Sequence, residues 1–295
     1  PFGIPWKREE KEVTAEYKKG TAGRFAPGLP AKGDGQLLFM LNGLAKLKDD
    51  GQMAIIQNGS SLFNGDAGSG PSEIRRYLIE NDWLDAIVQL PGNAFYNTPI
   101  ATYIWIVMKN KPVTHQGKVQ LIDASACASS RRKNIGEKKV DITKACRDLI
   151  IEAYGAYVND TYNGVDENNN TIVVKSKVMD AVDLGYNKIV VETPQFDEDG
   201  NVIMKKKKPV ADTSKRDTEN VPLAEDIDDY FEREVIPYNP QAWIDKSKTK
   251  VGYEIPFTRT FYEYKQIEPS DVIAARIEEH EKSLMAKLHD LFGGE

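Results

Sequence analysis

Leu84-Asp85-Ala86-Ile87-Val88-Gln89-Leu90, Ala101-Thr102-Tyr103-Ile104-Trp105-Ile106-Val107-Met108 and Lys118-Val119-Gln120-Leu121-Ile122-Asp123 are the stretches that decide the fold. Each is a short apolar run, carries β-branched or aromatic residues, and is bounded by turn-forming or charged ones. That is the pattern of a strand. Upstream, Gln36 to Lys48 places Leu37, Leu41, Leu44 and Leu47 at helical spacing, with Asp34 positioned to cap them. Met53-Ala54-Ile55-Ile56-Gln57, after Gly51, reads as a buried strand. Ser72 is positioned to cap a helix over Glu73 to Glu80, with Ile74, Leu78 and Ile79 inward. The order helix, strand, helix, strand, strand, strand predicts an α/β sheet with helices packed on it. No helix separates the last two strands, which predicts an antiparallel pair at one end of that sheet. Residues 1–35 are rich in Gly, Pro and charge without a clear period and read as a long loop.

The character changes after about Ala124. Arg131 to Lys139 is strongly charged, and Ile142 to Tyr157 predicts a helix. Asp160 to Asn170 reads as a polar loop, and Thr171 to Val178 and Asn187 to Glu192 as strands. Phe196 to Asn201 is a turn signal between Val190-Val191 and Val202-Ile203-Met204, which predicts a hairpin. Lys205 to Lys208 reads as a solvated run, with contact to DNA phosphates as the alternative. Ser270 is placed to cap a final helix from Asp271 to Phe292. Ile277, Leu284 and Leu291, joined by Leu288, give that helix an amphipathic, partly heptad face that Glu281 interrupts. The expected division is 1–125 and 126–295.

With 295 residues, 40% of them hydrophobic and 28% charged, the composition is that of a soluble globular chain with room for a real core. No apolar run approaches the ~20 residues of a membrane span, and no export leader is visible. A net charge of -6 argues against a broad basic surface and leaves a local basic groove, or a partner that supplies the contacts. The two cysteines, Cys127 and Cys146, suit a reducing cytoplasm and exclude a disulfide framework. His115, His280 and His289 lie too far apart in sequence to suggest a metal site, and none is expected.

The chain opens Pro1-Phe2-Gly3. Amino-methyltransferases of adenine and cytosine carry Asn/Asp-Pro-Pro-Phe/Tyr at the end of a strand. The exocyclic amino group is a poor nucleophile, because its lone pair is delocalised into the ring. The Asn side chain and the following Pro carbonyl accept its hydrogens, and the aromatic residue stacks on a base flipped out of the duplex. Pro1 and Phe2 match the last two positions, with the Asn and first Pro expected just upstream. Further blocks follow in a family order: Ala54 to Phe63, with Asn58-Gly59 and Leu62-Phe63; Ile74 to Glu80; Asp85 to Pro91; Phe95-Tyr96-Asn97-Thr98-Pro99-Ile100-Ala101-Thr102; and Val119 to Ser125. Asp183-Leu184-Gly185-Tyr186 and the run from Lys248 to Arg259 continue it. In this order the chain resembles the modification (M) subunit of type I restriction enzymes, an N6-adenine DNA methyltransferase family.

That resemblance implies an α/β fold: the C-terminal part of a Rossmann-like methyltransferase sheet (1–125), then an α+β C-terminal extension (126–295) ending in the amphipathic helix. It implies transfer of a methyl group from S-adenosylmethionine to the adenine amino group in DNA. Pro1 and Phe2 fall at catalytic positions, and Phe95, Tyr96, Asn97 and Thr98 at the target base, where Phe95 or Tyr96 would stack. The implied partners are DNA, a specificity subunit, a restriction subunit and a second M subunit, in the cytoplasm. One departure stands out: no Phe-x-Gly-x-Gly-type cofactor turn is found, and the cofactor motif is expected upstream. Gly65 to Gly70 lies too far beyond its strand to be such a cradle and reads as a flexible surface loop. The alternative is therefore an inactive fragment that serves as an assembly module for the specificity subunit.

Overall fold

The computed structural model describes residues 4–264 and 268–292. Two units are distinct, residues 1–260 and 261–295. The first is built on a six-stranded sheet. Its strands are β1 (Gln52–Asn58), β2 (Leu84–Gln89), β3 (Thr102–Met108), β4 (Lys118–Asp123), β7 (Asp160–Val165) and β8 (Thr171–Asp180). The spatial order is β1-β3-β2-β4-β8-β7. β3 runs antiparallel to both β1 and β2, while β2 and β4 are parallel. β1, β2 and β4 therefore point the same way. β2 is buried along nearly its whole length, Asp85 included, whose carboxylate accepts from the Tyr154 hydroxyl at 2.7 Å.

The expected antiparallel pair of β3 and β4 does not form. The two strands flank β2 instead, β3 inserted between β1 and β2. Adjacency in sequence without a helix fixes only how short a connection is, not which side of a third strand each partner takes.

Helices cover this sheet. α2 (Gln36–Lys46) lies on β1 and touches α4 (Gly70–Glu80), while α5 (Lys144–Ala156) packs against β4, β7 and β8. α5 is held through Cys146 and Ala153, which share a core with Val88, Ile122, Ile172 and Val174. A hairpin of β5 (Ser129–Ile135) and β6 (Lys138–Asp141) precedes it. Beyond the sheet, β9 (Gly185–Glu192) is the spine of a second one, with β12 (Asp217–Pro222) on one side and β13 (Trp243–Ile244) and β14 (Lys250–Tyr253) along the other. α6 (Ile227–Glu234) covers it through Phe231, which joins Ile189, Val191, Val221 and Val235. Short pieces complete the unit: α1 (Glu10–Tyr17), α3 (Ser60–Phe63), α7 (Phe257–Thr260), β10 (Met204–Lys205) and β11 (Lys208–Pro209).

Several expectations are corrected. Within the stretch read as loop, α1 forms; Val13 is its only buried residue, so it carries no apolar stripe to read. Ser72 caps nothing: α4 starts at Gly70, and the buried Ser72 hydroxyl accepts from the Tyr253 amide at 3.0 Å. Half of the polar loop from Asp160 is strand β7, paired with β8, and its turn is closed by Asp166 accepting from the Asn168 and Asn170 amides. The turn at Phe196–Asn201 exists, but Val190-Val191 pairs with β12 rather than with Val202–Met204. The Gly65–Gly70 segment is exposed at Gly65, Asp66 and Gly68, as a surface loop should be, but it is anchored: Ala67 is buried, and a Cβ on Gly70 would lie 1.9 Å from the Leu29 carbonyl oxygen.

A cross-link of long range ties β14 to α4. The Arg75 side chain is fully buried and donates to the carbonyls of Tyr253, Ser61 and Asn64 at 2.5, 3.2 and 2.9 Å. Burial lowers its pKa to about 10, so it stays charged at neutral pH with backbone carbonyls as its acceptors. The second unit is dominated by α8 (Ser270–Phe292), on which Ile277, Leu284, Leu288 and Leu291 recur at helical spacing.

Candidate functional site

The carboxyl ends of the three co-directional strands share one edge. Gln89 lies opposite both Tyr103 and Asp123, and Asn58 lies opposite Thr102. In open α/β sheets ligands bind beyond such an edge. Asn58 and Gln89 are separated by β3 alone, so with two strand spacings they lie about 10 Å apart.

At the end of β1, four polar side chains close on one another. The buried Gln36 amide donates to Asp34 Oδ2 at 2.8 Å, Asn58 Oδ1 at 2.9 Å and Ser60 Oγ at 2.6 Å. Its Oε1 accepts from the Asn58 amide at 3.0 Å, and the Ser60 hydroxyl donates to Asp34 Oδ2 at 2.8 Å. Asn58 also accepts from the Ser60 amide at 2.9 Å, the Asx turn that Asn-Gly suggests. Asn58 thus closes a turn and is locked to the start of α2 by Gln36. Asp34, expected as a cap, accepts from the Gln36 amide at 3.2 Å and belongs to this cluster as well. The Gly35 amide donates to the Ile4 carbonyl at 2.9 Å, and the Trp6 amide to Lys32 at 3.0 Å. The segment that follows Pro1-Phe2-Gly3 is thereby tied to the turn bearing Asp34. Pro1 and Phe2 themselves lie outside the described residues.

Beside this cluster, Tyr103 stands edge-on to Phe257, with ring centroids 5.3 Å apart. A cleft of about 280 Å³ opens between them, Phe63 and Arg259. Burial, and then the charge of Asp123, raise the Tyr103 pKa, so its phenol keeps its proton.

From the end of β2, the loop carrying Phe95 to Thr98 projects at the same edge. Phe95 and Thr98 form an antiparallel bridge. Phe95 is half-buried and packs on the core beneath α5, whereas Tyr96 is 62% exposed at the tip with Asn97 beside it. The two aromatics therefore have different places: Phe95 is spent on packing, and Tyr96 is the ring open to solvent. The β5–β6 hairpin fastens the loop. The Glu137 amide donates to the Tyr96 carbonyl at 2.8 Å, the Lys139 amide to the Asn93 carbonyl at 2.9 Å, and the Asn93 side chain to the Glu137 carbonyl at 3.1 Å. Gly136 sits at φ +57°, where a Cβ would come 2.5 Å from the Tyr96 oxygen, so glycine alone permits this approach. Lys138 Nζ stands 5.6 Å from the centre of the Tyr96 ring, a cation–π distance.

Sequence reasoning missed Gln36, Ser60, Tyr103 and the hairpin as parts of this edge. Asn58 at the end of a strand was a legible signal; its partner Gln36, 22 residues upstream, carried none. The edge presents acceptors and aromatic faces, groups suited to a planar, polar ligand such as a base. The described residues offer S-adenosylmethionine no cradle. In the one glycine-rich segment between strand and helix, Gly70 presses on Leu29 and Asp66 is paired with Lys188 at 2.7 Å. Among the described residues no group of three His, Cys, Asp or Glu is arranged for a metal ion, and no helix is long and apolar enough to cross a membrane.

Residues 1–195 match the model of the family described as N-6 DNA Methylase. The methylase subunit of the type I restriction enzyme MpnII from Mycoplasma pneumoniae is 34% identical over 113 residues, 38% of this chain and 19% of that protein. The HindI methylase subunit from Haemophilus influenzae is 33% identical over 101 residues, 34% of this chain and 22% of that one. The aligned stretches span about a fifth of these relatives' length. A type I restriction-modification methyltransferase subunit from Streptococcus thermophilus is similar at 25% identity and a TM-score of 0.48, over 62% of this chain and 34% of that structure.

Proposed function

The chain belongs to the N-6 DNA methylase family, and from that premise we propose that it supplies the target-base side of a type I restriction-modification methyltransferase, which moves a methyl group from S-adenosylmethionine to the exocyclic amino group of adenine in DNA. The observation that carries this reading is the exposed Tyr96 ring, on a backbone-locked loop at the same sheet edge as the cluster that holds Ile4. In this reading a flipped adenine lies over that edge. Tyr96 stacks on its face, a contact worth about 1–3 kcal/mol. Asn97 and Thr98 border it, and Phe95 holds the loop by packing. Pro1 and Phe2, which lie outside the described residues, take the catalytic positions of the family pattern in this reading. The methyl donor's cradle belongs to the part of the subunit that precedes these residues in the family pattern.

DNA sequence is read by a specificity subunit in this proposal, with a second modification subunit and a restriction subunit completing a cytoplasmic complex. A second reading, an assembly module without its own catalysis, is favoured by one observation: within the second unit no described element covers the apolar row of α8. Docking of α8 on the specificity subunit serves both readings, and intact capture of that subunit after deletion of residues 268–295 rules the docking out.

The target-base reading is tested with a duplex carrying 2-aminopurine opposite an abasic site, a base already free to leave the stack. Stacking on an aromatic ring quenches its fluorescence. The chain is expected to quench it, Tyr96→Phe to retain the effect and Tyr96→Ala to lose it. Equal quenching by Tyr96→Ala overturns the assignment.

A further inference from the structure

The β5–β6 hairpin does more than brace the loop: we propose that it is a phosphate clamp, which grips the DNA backbone beside the extruded base through Arg132, Lys133 and Lys139. The proposal rests on the DNA-methylase reading for the identity of the polyanion. Residues 129–141 hold five basic and two acidic side chains, in a chain whose net charge is -6, so this is a local reversal of sign. The hairpin sorts its cations into two sets. Arg131 and Lys138 are both turned onto Asp141, Arg131 through both carboxylate oxygens and Lys138 at 3.2 Å. That pairing with Arg131 holds the Asp141 carboxyl below its ordinary range, and Asp141 offsets one of the two cations at the hairpin's base. Arg132, Lys133 and Lys139 are exposed and have no acidic partner within ion-pair distance among the described residues. The remaining acidic side chain, Glu137, is also exposed, and it is through its backbone that this residue fastens the Tyr96 loop.

Position turns this charge into a site. The backbone bonds from Glu137 and Lys139 to Tyr96 and Asn93, with the close approach at Gly136, hold the hairpin and the Tyr96 loop as one piece. Any duplex that delivers a base to Tyr96 brings its flanking phosphates to the hairpin. An Arg and two Lys, fixed by backbone rather than by flexible linkers, suit phosphate oxygens, and such contacts set register without reading sequence. The Lys205–Lys208 run differs: it forms the separate β10–β11 turn and makes no described hydrogen bond to the Tyr96 loop.

The test is fluorescence anisotropy of a labelled mixed-sequence duplex titrated with the whole chain between 50 and 200 mM salt. Three phosphate contacts contribute about 2.7 to the slope of log K against log salt. The triple variant Arg132→Ala, Lys133→Ala, Lys139→Ala is expected to lose that amount of slope and to bind on the order of a hundredfold more weakly at 0.1 M salt. Lys205→Ala, Lys206→Ala, Lys207→Ala, Lys208→Ala together are expected to leave the slope unchanged. An unchanged slope in the first variant, equal losses in both, or no salt-dependent binding by the unaltered chain overturns the proposal. Tyr96→Ala removes no cation and keeps the slope, so failure of the stacking reading and failure of the clamp are separate results.

Discussion

Replacing Arg75 by Met removes a side-chain donor that serves the Tyr253, Ser61 and Asn64 carbonyls together while nearly preserving volume. Two effects oppose each other. The lowered pKa, from 12.5 to about 10, means that charging the guanidinium in its buried place costs about 3 kcal/mol more than in water, and Met relieves that. Against this, the buried Tyr253 and Ser61 carbonyls lose their donor at about 1–3 kcal/mol each, and the part-buried Asn64 carbonyl at about 1 kcal/mol. Taking about 2 kcal/mol for each buried carbonyl leaves a net loss of about 2 kcal/mol, and the carbonyls decide the sign. Urea unfolding followed by tryptophan fluorescence measures it as a lowered midpoint at unchanged slope. Because one bond reaches Tyr253 from α4, hydrogen exchange should also quicken at the β14 amides before the β2 amides. A midpoint equal to or above that of the unaltered chain refutes the reasoning, since it shows that desolvation outweighs the three bonds or that water replaces the guanidinium.

Two other perturbations follow from single contacts. Glu192 is buried, and burial alone would raise its pKa; Arg216 and Lys248, each at 2.8 Å, outweigh that and hold it below the ordinary 4.5. Its folded pKa is thus depressed, so its contribution is complete above pH 4.5 and is lost as pH falls through the folded value. Glu192→Gln should flatten the acid limb of a stability-against-pH curve, and an identical acid limb would count against the pairing. Gly70→Ala places a Cβ 1.9 Å from the Leu29 oxygen, and either α4 or the 28–29 backbone must move. A loss of about 3 kcal/mol is expected, read from the urea midpoint, whereas a neutral outcome would mean that this crossing is loose.

Local chemistry made much of the first unit legible. The β-branched and aromatic run at Thr102–Met108, the apolar run at Leu84–Gln89 and the helical period at Lys144–Ala156 each bury a face that their own spacing announces. The Tyr96 loop entered as a candidate only through the family resemblance of its residues. Which ring packs and which is exposed was not, since Phe95 and Tyr96 differ only in what α5 and the hairpin bring to them. α1 was missed for lack of an apolar stripe, and Ser72 was misread because a helix cap and an acceptor for a distant amide look alike in sequence.

The sequence by itself determined where the strands β1 to β4 and the helices α2, α4 and α5 lie, and, through its ordered blocks, the family to which the chain belongs. Both are properties of neighbouring residues, written as period, composition and order. Only the tertiary structure decided that β3 enters between β1 and β2, that Gln36 joins Asn58, that Arg75 joins Tyr253 and that a basic hairpin braces the Tyr96 loop. Those are choices among distant partners, made by burial and by the requirement that buried polar groups find hydrogen bonds. No local pattern records which of several chemically adequate partners the folded chain brings within reach.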